Sequence, residues 1–237
     1  EERTPDDFDR IDGIVENEPY KLKVSIDNRD IETGKQIQSN ARYVIYEWDK
    51  TENKYVEYVS KIDGNKIEIK RGSDKIYVTN QWLYYTEKNE GKYKIVEDIA
   101  AYGYIGDYNE EGNKREYEIN VKEIIEAGTY EGQEVENEST IMLRNNQEEN
   151  AIKNKRVDTK IEIEIIDKET RSNKTQGSAR LEGAEYGIYA REQVNHADGL
   201  TSRYEEAGVL YRQDELVKTV TTNEEGKTVI EELECGK

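Results

Sequence analysis

The sequence predicts an all-β protein built as two tandem β-sandwich modules, and two observations support this fold class. Apolar and polar residues alternate strictly in "KIEIEII" (160–166) and "KIEIK" (66–70). Such alternation is typical of strands that bury one face and expose the other. In addition, short motifs recur in the same order at a spacing of roughly 140 residues, as one module repeated once would produce.

Composition excludes several classes of function. Among 237 residues, 35 Lys and Arg face 53 Asp and Glu, a formal charge of −18. We therefore expect no nucleic-acid partner and no anionic membrane partner, since both would repel the chain. A single cysteine, Cys235, allows no internal disulfide, and with the single His196 it argues against a Cys/His zinc site. No apolar run is long enough for membrane insertion.

The first half of the chain is predicted to be a polar tail followed by closely spaced strands. The tail covers residues 1–18. The strand segments that follow are 20–28, 41–48, 54–60, 66–70, 75–79, 81–87 and 92–99. In the last of these, Tyr93, Ile95, Glu97 and Ile99 share one face, because alternate side chains of a strand point the same way. A carboxylate is therefore predicted on a buried face.

One helix interrupts the strand pattern at "NVKEIIEAG" (120–128). Asn120 is a suitable N-cap, Glu123 occupies the capping-box position, and Gly128 is a typical helix end. A further strand is predicted at 139–145, followed by a polar link before the strands resume near residue 160.

The internal repeat sets the expected domain boundaries. "DIETGK" (30–35) returns as "DKETRS" (167–172), "ARYVIY" (41–46) as "AEYGIY" (184–189), and "EGKY" (90–93), shortened, as "CGK" (235–237). We therefore predict a first module at 19–150, with an extension after residue 104, and a second at 158–237. The second copy stops where the first enters its "YKIVED" strand, so we expect the second module to be incomplete.

Three segments resemble the Cna B-type, or SpaA-type, repeat modules of Gram-positive surface adhesins and pilins. They are "LEGAEYGIY" (181–189), "TNEEGKTVIEELECGK" (222–237) and "GKYKIVEDIAAYGY" (91–104), in which Ala101 replaces the usual proline. The resemblance covers roughly 20–104 and 160–237. It implies an Ig-like β-sandwich fold and an extracellular, cell-wall-attached location.

The resemblance also implies a site at Glu97. Members of the family usually join a Lys of the first strand to an Asn or Asp of the last strand, assisted by a buried Glu. Here Glu97 matches the Glu, but the Lys position holds Asn28 in the first module and Ile165 in the second. Without an amine no amide can form, so we predict that the bond is absent. We expect the Asn28 amide to donate to Glu97, with Asn145 of the last strand nearby.

A change of strand register does not rescue a lysine. Such a shift would turn Leu22, Val24 and Ile26 outward. Exposing them costs roughly 1.5–3 kcal/mol for each side chain.

Residues 107–118, "DYNEEGNKREYE", match part of a calcium-binding loop in their spacing. The carboxylate and amide positions are Asp107, Asn109, Glu111 and Glu118. The flanking segments are predicted strands rather than helices, and basic residues lie within the loop. We therefore predict an acidic hairpin turn and no metal site, with calcium binding as the alternative.

The polar segment 191–217 contains His196 and Asp198, two residue types that are common in active sites. No set of a nucleophile, a base and an orienting residue accompanies them, so we predict no catalytic residues, no cofactor and no enzyme. In "QWLYYTE", Trp82 and its neighbouring tyrosines could stack on a sugar. The other interpretation is that the aromatic residues on one face of this strand pack in the core and those on the other face lie at its rim.

The leading functional hypothesis is a structural or adhesive stalk module of a bacterial cell-surface protein. Its expected partners are a host surface, a matrix ligand or neighbouring modules of the same protein. The alternatives are a β-sandwich that binds a carbohydrate or a host protein, and an accessory β-module of a secreted enzyme. Nothing in the sequence identifies a ligand.

Overall fold

A computed structural model describes residues 18–58, 67–145, 149–174 and 176–234. The predicted tail, apart from Glu18, lies outside these ranges, as do the facing ends of the strands predicted at 54–60 and 66–70. The described part is nearly all β, with one helix, α1 (Val121–Ala127). The strands are β1 (Lys21–Ile26), β2 (Asn28–Asp30), β3 (Arg42–Asp49), β4 (Lys54–Glu57), β5 (Ile69–Arg71), β6 (Tyr77–Thr79), β7 (Leu83–Tyr84), β8 (Lys92–Ile99), β9 (Glu116–Asn120), β10 (Thr129–Tyr130), β11 (Gln133–Glu134), β12 (Thr140–Met142), β13 (Ile152–Asn154), β14 (Asp158–Glu164), β15 (Glu185–Tyr189), β16 (Val194–Asn195), β17 (Val209–Tyr211), β18 (Leu216–Thr221) and β19 (Lys227–Glu234).

Strands β1 to β13 form a β-sandwich, which we call the N-terminal unit. One sheet has the order β12-β1-β6-β5, with β7 also paired to β1, and the other has the order β4-β3-β8-β9. Alternate side chains of both sheets enter one apolar core. Its fully buried members include Leu22, Val24, Ile26, Tyr93, Ile95 and Ile141. The predicted all-β sandwich is confirmed for this unit.

The helix forms where the sequence predicts it. The Asn120 side chain accepts a hydrogen bond from the Glu123 N–H, and Gly128 adopts the left-handed conformation with φ of 69°. Val121 and Ile124 are buried against the sandwich. Caps at both ends and one apolar face are enough to place this short helix.

The first and last strands of the N-terminal unit lie side by side and run parallel. In the register of β1 and β12, Val24 faces Ile141, and in that of β2 and β13, Asp30 faces Asn154. Because β13 pairs with β2, the unit extends beyond the expected boundary at residue 150. The segment read as a polar link contains a strand, anchored by the fully buried Ile152.

Ile99 departs from the predicted inward face of β8. Tyr93 and Ile95 are fully buried and Glu97 is nearly so, but Ile99 is 51% exposed. The pairing with β3 is irregular at this point, since Tyr43 faces Glu97 and the next residue back, Arg42, faces Ile99. A bulge of this kind interrupts the alternation at the strand end.

Strands β14 to β19 pair only with one another within the described ranges, and we call them the C-terminal unit. They form three antiparallel pairs, β14–β19, β15–β18 and β16–β17. The repeated motif folds the same way in both units. Asp30 accepts the N–H groups of residues 32 and 33, and Asp167 accepts those of residues 169 and 170. In the described part of the chain, no helix has the length and apolarity needed to cross a membrane.

Candidate functional site

Glu97 lies inside the N-terminal unit, where the sequence predicts it, and is 3% exposed. Its Oε2 accepts the backbone N–H of Asp107 at 2.7 Å, and its Oε1 accepts the Asn154 amide at 3.2 Å. The Tyr43 hydroxyl lies 3.5 Å from the same Oε1. One carboxylate therefore joins β8, the loop after it, and the last strand of the unit.

Burial raises the pKa of Glu97 above its ordinary value. The hydrogen bonds from Asp107 and Asn154 act in the opposite direction but do not cancel the loss of solvation. A carboxyl group with a raised pKa stays protonated to higher pH and can then donate a hydrogen bond as well as accept one.

Asn28 is next to this carboxyl group but does not bond to it. It is 2% exposed and close enough to Glu97 and Tyr43 to offset a small part of the rise in pKa that burial causes in both groups. Neither its Nδ2 nor its Oδ1 completes a hydrogen bond. The expected donation from Asn28 to Glu97 is therefore not made in this structure.

The amide that donates to Glu97 belongs to Asn154, which the sequence analysis did not single out. Asn154 lies on β13, in the segment read as a link. Ile152 and Asn154 are both buried, whereas Lys153 between them is half-buried. The alternation of residue types in "AIKN" (151–154) was the sequence signal that could have indicated this strand. A three-residue strand is short enough to be overlooked in a polar stretch.

Asn145 supports the site indirectly, through Asp107. Its Nδ2 donates to the Asp107 carboxylate at 3.2 Å and to the Lys153 carbonyl at 2.9 Å, and its Oδ1 accepts the Lys153 N–H. It therefore fixes the residue whose N–H binds Glu97. Ile165, the other predicted position, follows β14 and donates its N–H to the Gly226 carbonyl.

The groups that hydrogen-bond to Glu97 in the described ranges are an N–H, an amide and a hydroxyl, and no lysine is among them. The geometry suits a non-covalent tie between strands. Absence of the covalent bond stays a prediction.

The loop at 107–118 is a hairpin whose acidic groups point in different directions. Asp107 is buried and accepts from the Tyr117 hydroxyl and from Arg115 Nε. Asn109 accepts backbone N–H groups within the turn. Glu118 lies on β9, 3.4 Å from the Lys94 ammonium. The predicted hairpin is present, and the carboxylate at its start is already neutralised by Arg115.

The aromatic residues after β6 all lie at the rim, and the residue of this segment that enters the core is Leu83. Leu83 is fully buried, whereas Trp82, Tyr84 and Tyr85 are half-buried. The ammonium groups of Lys21 and Lys23 lie 5.7 and 4.9 Å from the centre of the Trp82 ring. Cations over this ring compete with any sugar that would stack there.

His196 and Asp198 are buried, together with Asp30 of the N-terminal unit. Among the described residues these three form the one group with potential metal-ligand atoms within 4.8 Å of one another. The ligand atoms are already occupied, however. His196 Nδ1 accepts the Asp198 N–H, and the Tyr104 hydroxyl donates to Asp30 Oδ2. We therefore assign no metal to this cluster.

Solved pilin structures show distant similarity to this chain. The full-length major pilin SpaD from Corynebacterium diphtheriae is 19% identical over 59% of this chain and 33% of its own, with a TM-score of 0.37. Domains D2 and D3 of that pilin are 20% identical over 58% of this chain and 48% of theirs, with a TM-score of 0.36. A streptococcal ancillary pilin is 13% identical over 92% of this chain and 52% of its own, with a TM-score of 0.28.

No family model matches the chain, and no curated protein matches it. The matched region is about half or less of each of these pilins. TM-scores of this size do not assign a fold, so the β-sandwich assignment rests on the strand pairing and the core.

Proposed function

We propose that the chain is a structural stalk segment of a bacterial surface protein, which acts by transmitting force rather than by turnover. The parallel contact between the first and last strands of the N-terminal unit supports this function most directly. When the two ends of the unit are pulled apart, β1 and β2 move in one direction and β12 and β13 in the other. The hydrogen bonds between them are then loaded together rather than one after another.

Backbone hydrogen bonds cross this contact along its whole length. Lys23 donates to the Ser139 carbonyl at 2.9 Å, and Leu143 donates to that of Ser25 at 3.0 Å. Farther along, Ile152 donates to the Asp27 carbonyl at 2.9 Å. Each bond contributes only about 1 kcal/mol net, but shearing the strands requires that all of them break within one movement.

The Glu97 site strengthens the same contact from inside. Asn154 lies on the last strand, so its bond to Glu97 ties that strand to the opposite sheet. The tie includes Glu97, which matches the assisting Glu of the resembling family, and it joins this Glu, where the family uses a first-strand lysine, to the last strand. A non-covalent tie allows the unit to unfold and refold under load.

The formal charge of −18 fits this function. Like charge keeps neighbouring stalks soluble and separate. An extracellular location is part of the proposal, and the pilin names of the similar structures agree with it. Adhesion to a ligand stays a hypothesis, with no specific observation in its favour.

Single-molecule pulling in two directions tests the proposal. Handles at residues 18 and 157 load the parallel strands in shear. Handles at residues 46 and 57, which face each other at the open end of the β3–β4 pair, unzip this hairpin and serve as the control. We expect a clearly higher rupture force in the first geometry. Equal, low forces in both directions would contradict a force-bearing function.

A further inference from the structure

The polar segment 191–217, which contains His196 and Asp198, contacts the N-terminal unit. The Gln38 N–H donates to the Asp198 carbonyl at 3.0 Å. The Thr33 hydroxyl donates to Asp198 Oδ2 at 2.9 Å, although the two residues are 165 positions apart. The repeated D-x-E-T turn of the first unit therefore docks on a loop of the second.

Two glycines make this approach close. A Cβ placed on Gly103 would lie 3.0 Å from the Cβ of Ala197, and one placed on Gly199 would lie 3.0 Å from the Cβ of Gln38. Gly199 has a φ of 73°. The two units thus approach each other closely at both points, and a side chain at either glycine would require its neighbour to shift by a few tenths of an ångström.

Asp198 is the fixed centre of the docked loop and is fully buried. Its Oδ1 accepts the N–H groups of Leu200 and Thr201, both at 2.7 Å, and its Oδ2 also accepts the Thr201 hydroxyl. Burial by itself would raise the pKa of Asp198, but these hydrogen bonds hold it below the ordinary value. The carboxylate is therefore stable as an anion between the units.

The segment that connects the units is also held. The Val157 N–H donates to the Gly103 carbonyl, and the Ile105 N–H donates to that of Lys155, both at 2.9 Å. Tyr104 and Arg156 form an antiparallel bridge. The connection thus lies along the N-terminal unit as an added strand segment.

Arg156 is the charged contact that spans the two units, and its side chain is 12% exposed. One end of the guanidinium pairs with Glu32 of the N-terminal unit and the other with Glu234 of the C-terminal unit. Its Nε lies 4.0 Å from the Asp30 carboxylate. His196 Nε2 is 3.5 Å from the same Glu234 carboxylate. A planar guanidinium can bind two carboxylates at fixed angles, which a lysine cannot do.

We propose that Arg156 and the Asp198 loop form a locked joint, so that the two units move as one rigid body. Segment 191–217 is then an internal docking element whose partner is the D-x-E-T turn of the preceding unit. This inference deepens the stalk proposal but is separable from it. A stalk with flexible joints would still resist shear within its first unit.

Distance measurements between spin labels test the joint in the full chain. Labels are attached through Glu110→Cys and Glu224→Cys, one exposed site in each unit, in a Cys235→Ser background. We expect one narrow distance distribution for the parent chain and a broad one for Arg156→Ala. Arg203→Ala, which removes an arginine paired with Glu215 inside the C-terminal unit, should leave the distribution narrow.

Two further variants separate a loosened joint from a misfolded chain. Glu234→Gln keeps the size of the side chain and removes one charge from the joint, and Arg156→Lys keeps the charge but loses the planar fork. Both should broaden the distribution while circular dichroism and the melting of the N-terminal unit stay unchanged. A broad distribution in the parent chain, or a narrow one in Arg156→Ala, would overturn the proposal. Pulling the full chain from handles at residues 18 and 157 reports separately on the stalk function.

Discussion

Strands β1 and β14 have the same alternating pattern but very different surroundings. On β1, Leu22, Val24 and Ile26 are fully buried, whereas Ile161 on β14 is 38% exposed. Strand β1 has partners on both edges and a facing sheet, while β14 pairs, among the strands that the structure describes, with β19 alone. Alternation therefore defines which face of a strand is apolar, but partners and a second sheet determine whether that face is buried.

The largest expected effect comes from removing the same side chain in each unit. Ile26→Ala leaves a cavity in a closed core and should lower the free energy of unfolding by about 2–5 kcal/mol. Ile161→Ala removes a side chain that is partly in water already, so we expect a loss below about 1 kcal/mol. Urea denaturation followed by tyrosine fluorescence measures both. Equal losses would show that the two strands are not in different environments.

A second substitution sharpens the contrast at the buried carboxyl group. Glu97→Leu leaves the Asp107 N–H and the Asn154 amide without an acceptor, at about 1–3 kcal/mol for each unsatisfied group. Glu97→Gln should be milder because its amide oxygen can still accept the Asp107 N–H.

Glu118→Leu on the neighbouring strand is the matched control, since its side chain is 69% exposed. Thermal melts at constant pH compare the three variants. A Glu97→Leu variant as stable as the control would show that the tie contributes nothing.

The pH dependence of stability should have one sign in the N-terminal unit, through Glu97, and the opposite sign in the joint between the units, through Asp198. The raised pKa of Glu97 means that the folded state holds this proton longer than the unfolded state. The N-terminal unit therefore loses stability as pH rises from about 4.3 through the folded pKa. The lowered pKa of Asp198 means that the folded state releases this proton at lower pH than the unfolded state does. The joint keeps its stability above about pH 3.9 and loses it as pH falls through the folded value.

Unfolding curves from pH 3 to 8 measure the first effect, and the spin-label distances measure the second. Glu97→Gln should remove the first slope and leave the second unchanged. One result would contradict this assignment. The N-terminal unit of the parent chain would gain stability throughout the rise in pH from 3 to 8, and the stability curve of Glu97→Gln would be the same.

The smallest expected effect concerns one hairpin turn in each unit. Lys75 in the β5–β6 turn and Gly226 in the β18–β19 turn have φ of 67° and 72°. Lys75→Gly relieves a left-handed backbone and should stabilise the chain by about 1 kcal/mol. Gly226→Lys should destabilise it, because a Cβ would lie 2.9 Å from that of Leu181. Shifts of the same sign in both melts would contradict the strain that we assign to a side chain in the left-handed conformation.

Local pattern was enough to predict much of the fold. Alternation placed the strands, and the capping residues Asn120 and Gly128 placed the helix. Glu97 was predicted to be buried because it shares a face with Tyr93 and Ile95. These features depend on neighbours within a few residues, which a sequence shows directly.

The features that were missed depend on distant parts of the chain. Asn154 was overlooked because a three-residue strand becomes visible only through its pairing with β2. Ile99 was assigned to the core because a bulge depends on the partner strand. The contact between Thr33 and Asp198 joins two turns that are far apart in sequence, and no spacing rule connects them.

Intact mass spectrometry of the purified chain, followed by peptide mapping, tests the central claim most directly. If Glu97 is tied to Asn154 by hydrogen bonds alone, the measured mass equals the sum of the residue masses plus one water for the chain ends, with neither ammonia nor a further water lost. The peptides that contain Asn28 and Asn154 are then recovered separately. A mass lower by one ammonia, together with a cross-linked peptide from the N-terminal unit, would contradict the account.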